Sequence, residues 1–246
     1  MVKIIEVDGH ALEYEVSGEG SPCIVLLSGE RVPMQFWDKV RALLIDGIGT
    51  VLSYNRPSVG KSSKRTSQQS ADVVGSTLHQ LLDKLDLKPP FLLVGHSSGG
   101  LLANLYARLH PAHVCGVVLV ESSHPEQVAR LEGHLSLIPR FFQWLGNRNP
   151  NRDFHPSEEN GQFINESGPF PELPLIVISG AKKMWISSNS AHSIHLENQK
   201  ELAQLTQHGE HIVAERSGHL VPFTEPEIVS DAVKSLAKKT RRQLNS

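Results

Sequence analysis

The sequence predicts an α/β fold in which a mostly parallel sheet carries helices on both faces. Three observations carry this expectation. Short, continuously apolar runs at 23–27, 91–94 and 117–120 read as strands buried on both faces, as strands of a parallel sheet do. Segments with helical spacing of apolar residues alternate with such runs from position 23 onward, as strand–helix–strand crossovers require. The run at 91–94 passes through Gly95, His96, Ser97, Ser98 and Gly99 straight into a helical stretch at 101–107, which puts a serine at the tip of a sharp turn.

Each element follows from its own residues. Positions 3–7 and 11–17 are strand-like and meet at Asp8 and Gly9, a favourable tight-turn pair. The run 23–27 breaks at Ser28, Gly29, Glu30 and Arg31. Phe36, Trp37, Val40, Leu43 and Leu44 indicate a short helix ahead of a strand at 50–54. The loop after it ends in Gly60, Lys61 and Ser62, as a phosphate loop does. The upstream glycine of that motif is missing, so phosphate binding is rejected. Val73, Val74, Leu78, Leu81, Leu82 and Leu85 define a helix over 67–85, capped by Thr66 or Ser67. Pro111 ends the helix after the sharp turn, and the strand 117–120 runs into Glu121.

From 122 to 173 the rhythm breaks. Val128, Leu131, Leu135, Phe141, Phe142 and Trp144 suggest one or two helices. The Asn-, Pro-, Glu- and Gly-rich stretch 147–171 has little period and reads as an insertion of the kind that forms lids. A strand at 175–179, a helix at 194–205, a strand at 211–215 and a last helix from Pro226 through 236 resume the pattern. The expected division is therefore a core at 1–121 and 174–246 with a lid at 122–173. The basic residues at 238–242 read as a solvated chain end.

Composition narrows the class. A chain of 246 residues can bury a large core without staples. Its net charge of −2 carries no electrostatic footprint for nucleic acid. The two cysteines, Cys23 and Cys115, sit in or beside apolar runs and read as reduced thiols, with neither disulfide nor metal spacing. The first residues open a strand pattern directly, so no signal peptide is expected. No apolar run approaches a membrane span. A cytoplasmic protein, monomeric or dimeric, is the expectation.

The turn at 95–99 has the chemistry of a nucleophile elbow. A serine that attacks a carbonyl must stand clear of the backbone. Gly95 and Gly99 leave room where strand and helix nearly collide. The serine needs a base, and the base an orienting acid. Among thirteen histidines, His219 follows the last strand in a loop with Ser217 and Gly218, at the carboxyl end of the sheet where function gathers. His96, next to Ser97, reads as a packing residue. The usual position for the acid, the loop after the strand 175–179, holds no carboxylate before Glu197. Glu121 ends the preceding buried strand, where a charge needs a partner, and is assigned as the acid. The N–H groups of Ser98 and of Glu30 (or Arg31 beside it) are the candidate oxyanion donors.

With these residues in place the chain resembles the α/β-hydrolase superfamily over nearly its whole length. The resemblance rests on Ser28 and Gly29, on the segment 54–62 around Arg56 and Pro57, on Gly95 to Gly99, and on Ser217, Gly218 and His219 with Pro222 and Pro226 behind. The family usually has His–Gly at the first segment and Asp and Gly around the Arg–Pro of the second; Ser28, Asn55 and Ser58 stand there here. The resemblance implies an eight-stranded sheet with an antiparallel first hairpin and a short helical lid after the sixth strand. The segment from Val120 to His124 is similar to members that carry the acid after the sixth strand.

A serine rather than an aspartate at the elbow implies acyl transfer. The expected activity is hydrolysis of carboxylic esters of small to medium acyl chains by Ser97, His219 and Glu121. The expected partner is a small-molecule ester, and neither metal nor organic cofactor is needed. Phe141, Phe142 and Trp144 are expected to wall the acyl pocket. Amide or lactone hydrolysis, a peroxide-dependent side activity, a cofactor-free lyase and a non-catalytic ligand-binding protein remain open alternatives on sequence.

Overall fold

The computed structural model describes residues 1–44, 48–65, 69–134, 153–184 and 187–244. Its centre is an eight-stranded sheet in the order β1-β2-β4-β3-β5-β6-β7-β8. The strands are β1 (Lys3–Val7), β2 (His10–Ser17), β3 (Cys23–Leu27), β4 (Thr50–Tyr54), β5 (Phe91–His96), β6 (Val114–Val120), β7 (Leu175–Gly180) and β8 (Gly209–Ala214). Only β2 pairs antiparallel, with β1 on one side and β4 on the other; all other pairs are parallel. The α/β-hydrolase fold expected from the sequence is the fold observed.

Strand residues alternate between two core layers, as a period of two dictates. Val25, Leu27, Val117, Leu119 and Val177 point into one layer, packed by helices α2 (Ala71–Lys84) and α3 (Ser98–Leu109). Ile24, Leu26, Val118, Val120 and Ile178 point into the other, packed by α1 (Asp38–Leu44) and the long last helix, α8 (Pro226–Leu244). Between these lie α4 (Gln127–Leu131), α5 (Glu158–Glu166), α6 (Asn189–Ala203) and α7 (Val221–Thr224). Among the described residues no helix is long and apolar enough to cross a membrane. Cys23 and Cys115 are free thiols.

Helix ends depart from the periodicity for local reasons. α6 begins at Asn189, ahead of its apolar pattern, because the Ser188 hydroxyl caps it by accepting from the Ala191 N–H at 3.0 Å. α8 runs on through a polar stretch of Lys, Arg and Gln, all good helix formers.

The segment 122–173 is described over 122–134 and 153–173. Phe154, Ile164, Phe170 and Leu173 from it share the α2/α3 core layer with the sheet. The aromatic residues Phe141, Phe142 and Trp144 lie outside the described residues.

Candidate active site

β5 ends at His96, and α3 starts at Ser98. Ser97 between them has φ 54° and ψ −122°, a conformation that an L-residue adopts only where its surroundings hold it. The surroundings do so: Ser97 N–H donates to Val120 O at 3.2 Å, and Ser97 O accepts from Gly100 N at 3.0 Å and Ser123 N at 3.1 Å. A Cβ on Gly95 would collide with the Gly99 carbonyl, and one on Gly99 with the Leu27 carbonyl. The two glycines are thus the condition for the sharp turn.

Glu121 follows β6 with φ 48° and is 5% exposed. Its N–H continues the sheet ladder to Ile178 O at 2.7 Å. Its carboxylate is held on both oxygens. Oε2 accepts from His219 Nδ1 at 3.0 Å, while Oε1 accepts from the Gly180 N–H at 2.7 Å and from His195 Nε2 at 3.1 Å. Burial alone would raise its pKa, but the bonds from His195 and His219 outweigh burial and hold the carboxyl well below the usual range.

The loop that carries His219 is tied down from three sides. Ser217 Oγ donates to Glu225 Oε2 at 2.5 Å, and Arg216 N–H reaches the same oxygen at 3.0 Å. Lys182 N–H donates to Ser217 O at 2.8 Å. His96 Nε2–H donates to the His219 carbonyl at 2.8 Å. His96 is therefore more than a packing residue: it is 1% exposed and fixes the backbone of His219. Burial first, and the His219 ring second, push its pKa down to about 3, so the ring stays neutral.

The loop after β3 passes so close to the elbow that a Cβ on Gly29 would lie 3.1 Å from Ser97 Cβ. Arg56 and Asp153 clamp this loop. Arg56 donates to Ser28 O and Gly29 O at 2.7 Å each, and pairs with Asp153 at 3.1 and 3.0 Å. Asp153, with its side chain 0% exposed, also accepts from the Arg31 N–H at 2.8 Å. The Arg31 N–H is thus committed to Asp153, and Glu30 beside it lines the same cavity as Ser97. Ser98 opens α3, where the first N–H groups of a helix have no partner within the helix.

Ser97, Glu121 and His219 open onto one cavity of about 360 Å³. Val128, Leu131 and Met184 supply apolar wall, and Lys182, His192 and Asn198 supply polar wall. Among the described residues no hydrogen bond joins the Ser97 hydroxyl to His219. In unliganded sites this contact is often long and tightens only in the substrate complex.

A family model described as alpha/beta hydrolase fold matches residues 37–160. The chain belongs to that family. An uncharacterized protein of Bacillus subtilis (strain 168), YqjL, is 24% identical over 252 residues, covering 95% of this chain and 90% of its own. An esterase from Exiguobacterium antarcticum (EaEST) superposes with a TM-score of 0.71 at 18% identity, covering 97% of this chain and 100% of its own. Mouse alpha/beta hydrolase domain-containing protein 10 superposes with a TM-score of 0.74 at 14% identity, covering 98% and 99%.

In this α/β-hydrolase the structure brings together Ser97, His219, Glu121, Ser98 and Glu30, all assigned from sequence. Sequence reasoning missed His195, Arg56, Asp153 and Glu225. A signal for the first existed: His192 and His195 stand three apart on α6, hence on one face, directly after the loop that lacks a carboxylate. Asp153 carried none, because its partner is 97 positions away.

Proposed function

We propose that this protein is a serine hydrolase that cleaves carboxylic esters of small to medium acyl chains. The observation that carries the reading is a carboxylate–imidazole pair, Glu121 to His219 at 3.0 Å, that shares one cavity with an elbow serine in a strained conformation. His219 Nδ1 is committed to Glu121, so Nε2 is the nitrogen left to take the Ser97 proton. Ser97 Oγ then attacks the ester carbonyl carbon. The N–H groups of Ser98 and Glu30 hold the negative oxygen of the tetrahedral intermediate. Its collapse breaks the C–O bond, and His219 returns the proton to the departing alcohol. Water, deprotonated by the same imidazole, attacks the acyl-enzyme and releases the acid and free Ser97.

Glu121 keeps His219 in the Nδ1–H tautomer and stabilises the imidazolium that forms. His195 positions Glu121 from its other oxygen. A cavity of about 360 Å³ suits a small to medium ester and lies at the small end of ligand pockets. The esterase named among the structural neighbours supports the same substrate class.

The test is intact mass after treatment with a fluorophosphonate, on wild type and Ser97→Ala, followed by an ester panel of graded acyl length. The expected result is one adduct, absent from Ser97→Ala, with turnover of short esters. A folded wild type that takes no adduct and turns over no ester would overturn the reading.

A further inference from the structure

We propose that His79, His110 and His113 form a binding site for a divalent transition-metal ion of the zinc type, at the end of the central strands opposite the catalytic cavity. His79 lies on α2, His110 directly follows α3, and His113 closes the short turn Pro111–His113 that enters β6. One ring nitrogen from each lies within 4.8 Å of the others. The ring centroids form a triangle with near-parallel planes, 4.3 Å apart for His79 and His110, 5.7 Å for His110 and His113, and 5.9 Å for His79 and His113. All three are half-buried, so the group is reachable from solvent.

The chemistry of the donors selects the ligand. Three neutral imidazoles make the donor set that zinc, nickel and copper prefer, and one that calcium and magnesium do not. His79 carries a built-in orienter. Its Nδ1 lies 3.1 Å from the buried Tyr106 hydroxyl, which leaves Nε2 as the metal-facing atom, the arrangement that metal-binding histidines adopt. The exposed Asp83 carboxylate lies 3.6 Å from that Nε2; water would complete the shell.

Tetrahedral zinc with bonds of about 2.0–2.1 Å needs its nitrogens about 3.3 Å apart, so binding draws the three rings together and tilts them out of parallel. Rotation about the last histidine torsion is soft, which makes that movement cheap. Backbone hydrogen bonds already fix where the rings start from: His110 N–H to Tyr106 O at 2.9 Å and His113 N–H to His110 O at 2.9 Å. The group sits where β5 and β6 begin, beside Phe91, whereas Ser97 and Glu121 follow the ends of those strands. A metal here therefore serves as a structural staple and takes no part in ester chemistry.

The test titrates zinc chloride into the full untagged chain by calorimetry at neutral pH, on wild type, His110→Asn and His113→Asn. Cobalt is used in parallel for its visible absorption. The expected result is one equivalent bound with a four-coordinate cobalt spectrum, and a rise in thermal midpoint on adding zinc. Each variant should bind about a hundredfold more weakly, and its midpoint should no longer respond to zinc. Metal-free midpoints of the variants check that they fold. Absence of binding in wild type, or undiminished binding in both variants, would overturn the assignment.

Discussion

His219 Nδ1 lies 3.0 Å from Glu121 Oε2, although the two residues are 98 positions apart in the chain. The pairing brings a carboxylate to His219 from the end of β6, and the Gly180 N–H at the end of β7 donates to its other oxygen at 2.7 Å. Replacing the carboxylate by an amide of the same shape tests its charge and its control of the tautomer. Glu121→Gln should fold and should lower kcat on a short ester by about a thousandfold or more. Turnover close to wild type would remove Glu121 from the catalytic group.

The Arg56–Asp153 pair predicts a coupled loss. Both side chains are buried, and the Asp153 carboxylate pairs with Arg56 at 3.0 Å while accepting from the Arg31 N–H. Asp153→Asn leaves a buried guanidinium without its charge partner, a change that costs about 3–5 kcal/mol. Urea denaturation should register that loss with little dependence on salt, since burial shields the pair from screening. The ester kcat should fall in step, because the clamp holds the loop that carries Glu30. A variant with wild-type stability would refute the clamp.

His96 predicts how stability depends on pH. Its pKa is lowered from 6.5 to about 3 by burial and by His219. Between those values the unfolded chain binds the proton and the folded chain does not, so stability rises with pH across that window and falls on acidification. At pH 5, about 1.5 units below the unfolded value, the loss through this residue is about 2 kcal/mol. Comparing urea midpoints near neutrality and near pH 5 for wild type and His96→Gln checks the claim. The variant should lack this part of the slope; equal slopes would refute it.

The sheet was legible because its strands announce themselves. β3 is a continuous apolar run after Pro22, β4 is a strand-like run between Gly49 and Asn55, and the limits of both agree with the structure. The elbow was legible because Gly95 and Gly99 answer a steric demand that is local in sequence. Glu121 was legible because it directly follows the buried strand β6, and His219 because it stands in a Ser–Gly–His loop after the last strand. What stayed hidden depends on distance in space. His195 reaches Glu121 across 74 positions, and Asp153 reaches Arg56 from a stretch with no periodicity. The three histidines of the proposed metal site come from α2, from the residue after α3 and from the turn into β6, and the packing of α2 beside α3 brings them together.

His195 supplies the sharpest test of how Glu121 is tuned. It donates to Oε1 and so draws charge away from the oxygen that faces His219. Its neighbours on the same helix are His192, whose pKa burial and His195 lower, and Asn198 at the cavity wall. His195→Leu removes the donor, and loss of one hydrogen bond to a charged group should lower kcat by about tenfold. With one imidazole partner fewer, the carboxylate presents more of its charge to His219, and the acid limb of the kcat/KM profile should move to higher pH. His195→Gln retains a donor and should recover most of kcat. If His195 merely packs α6 against the site, the limb stays where it is and only stability changes.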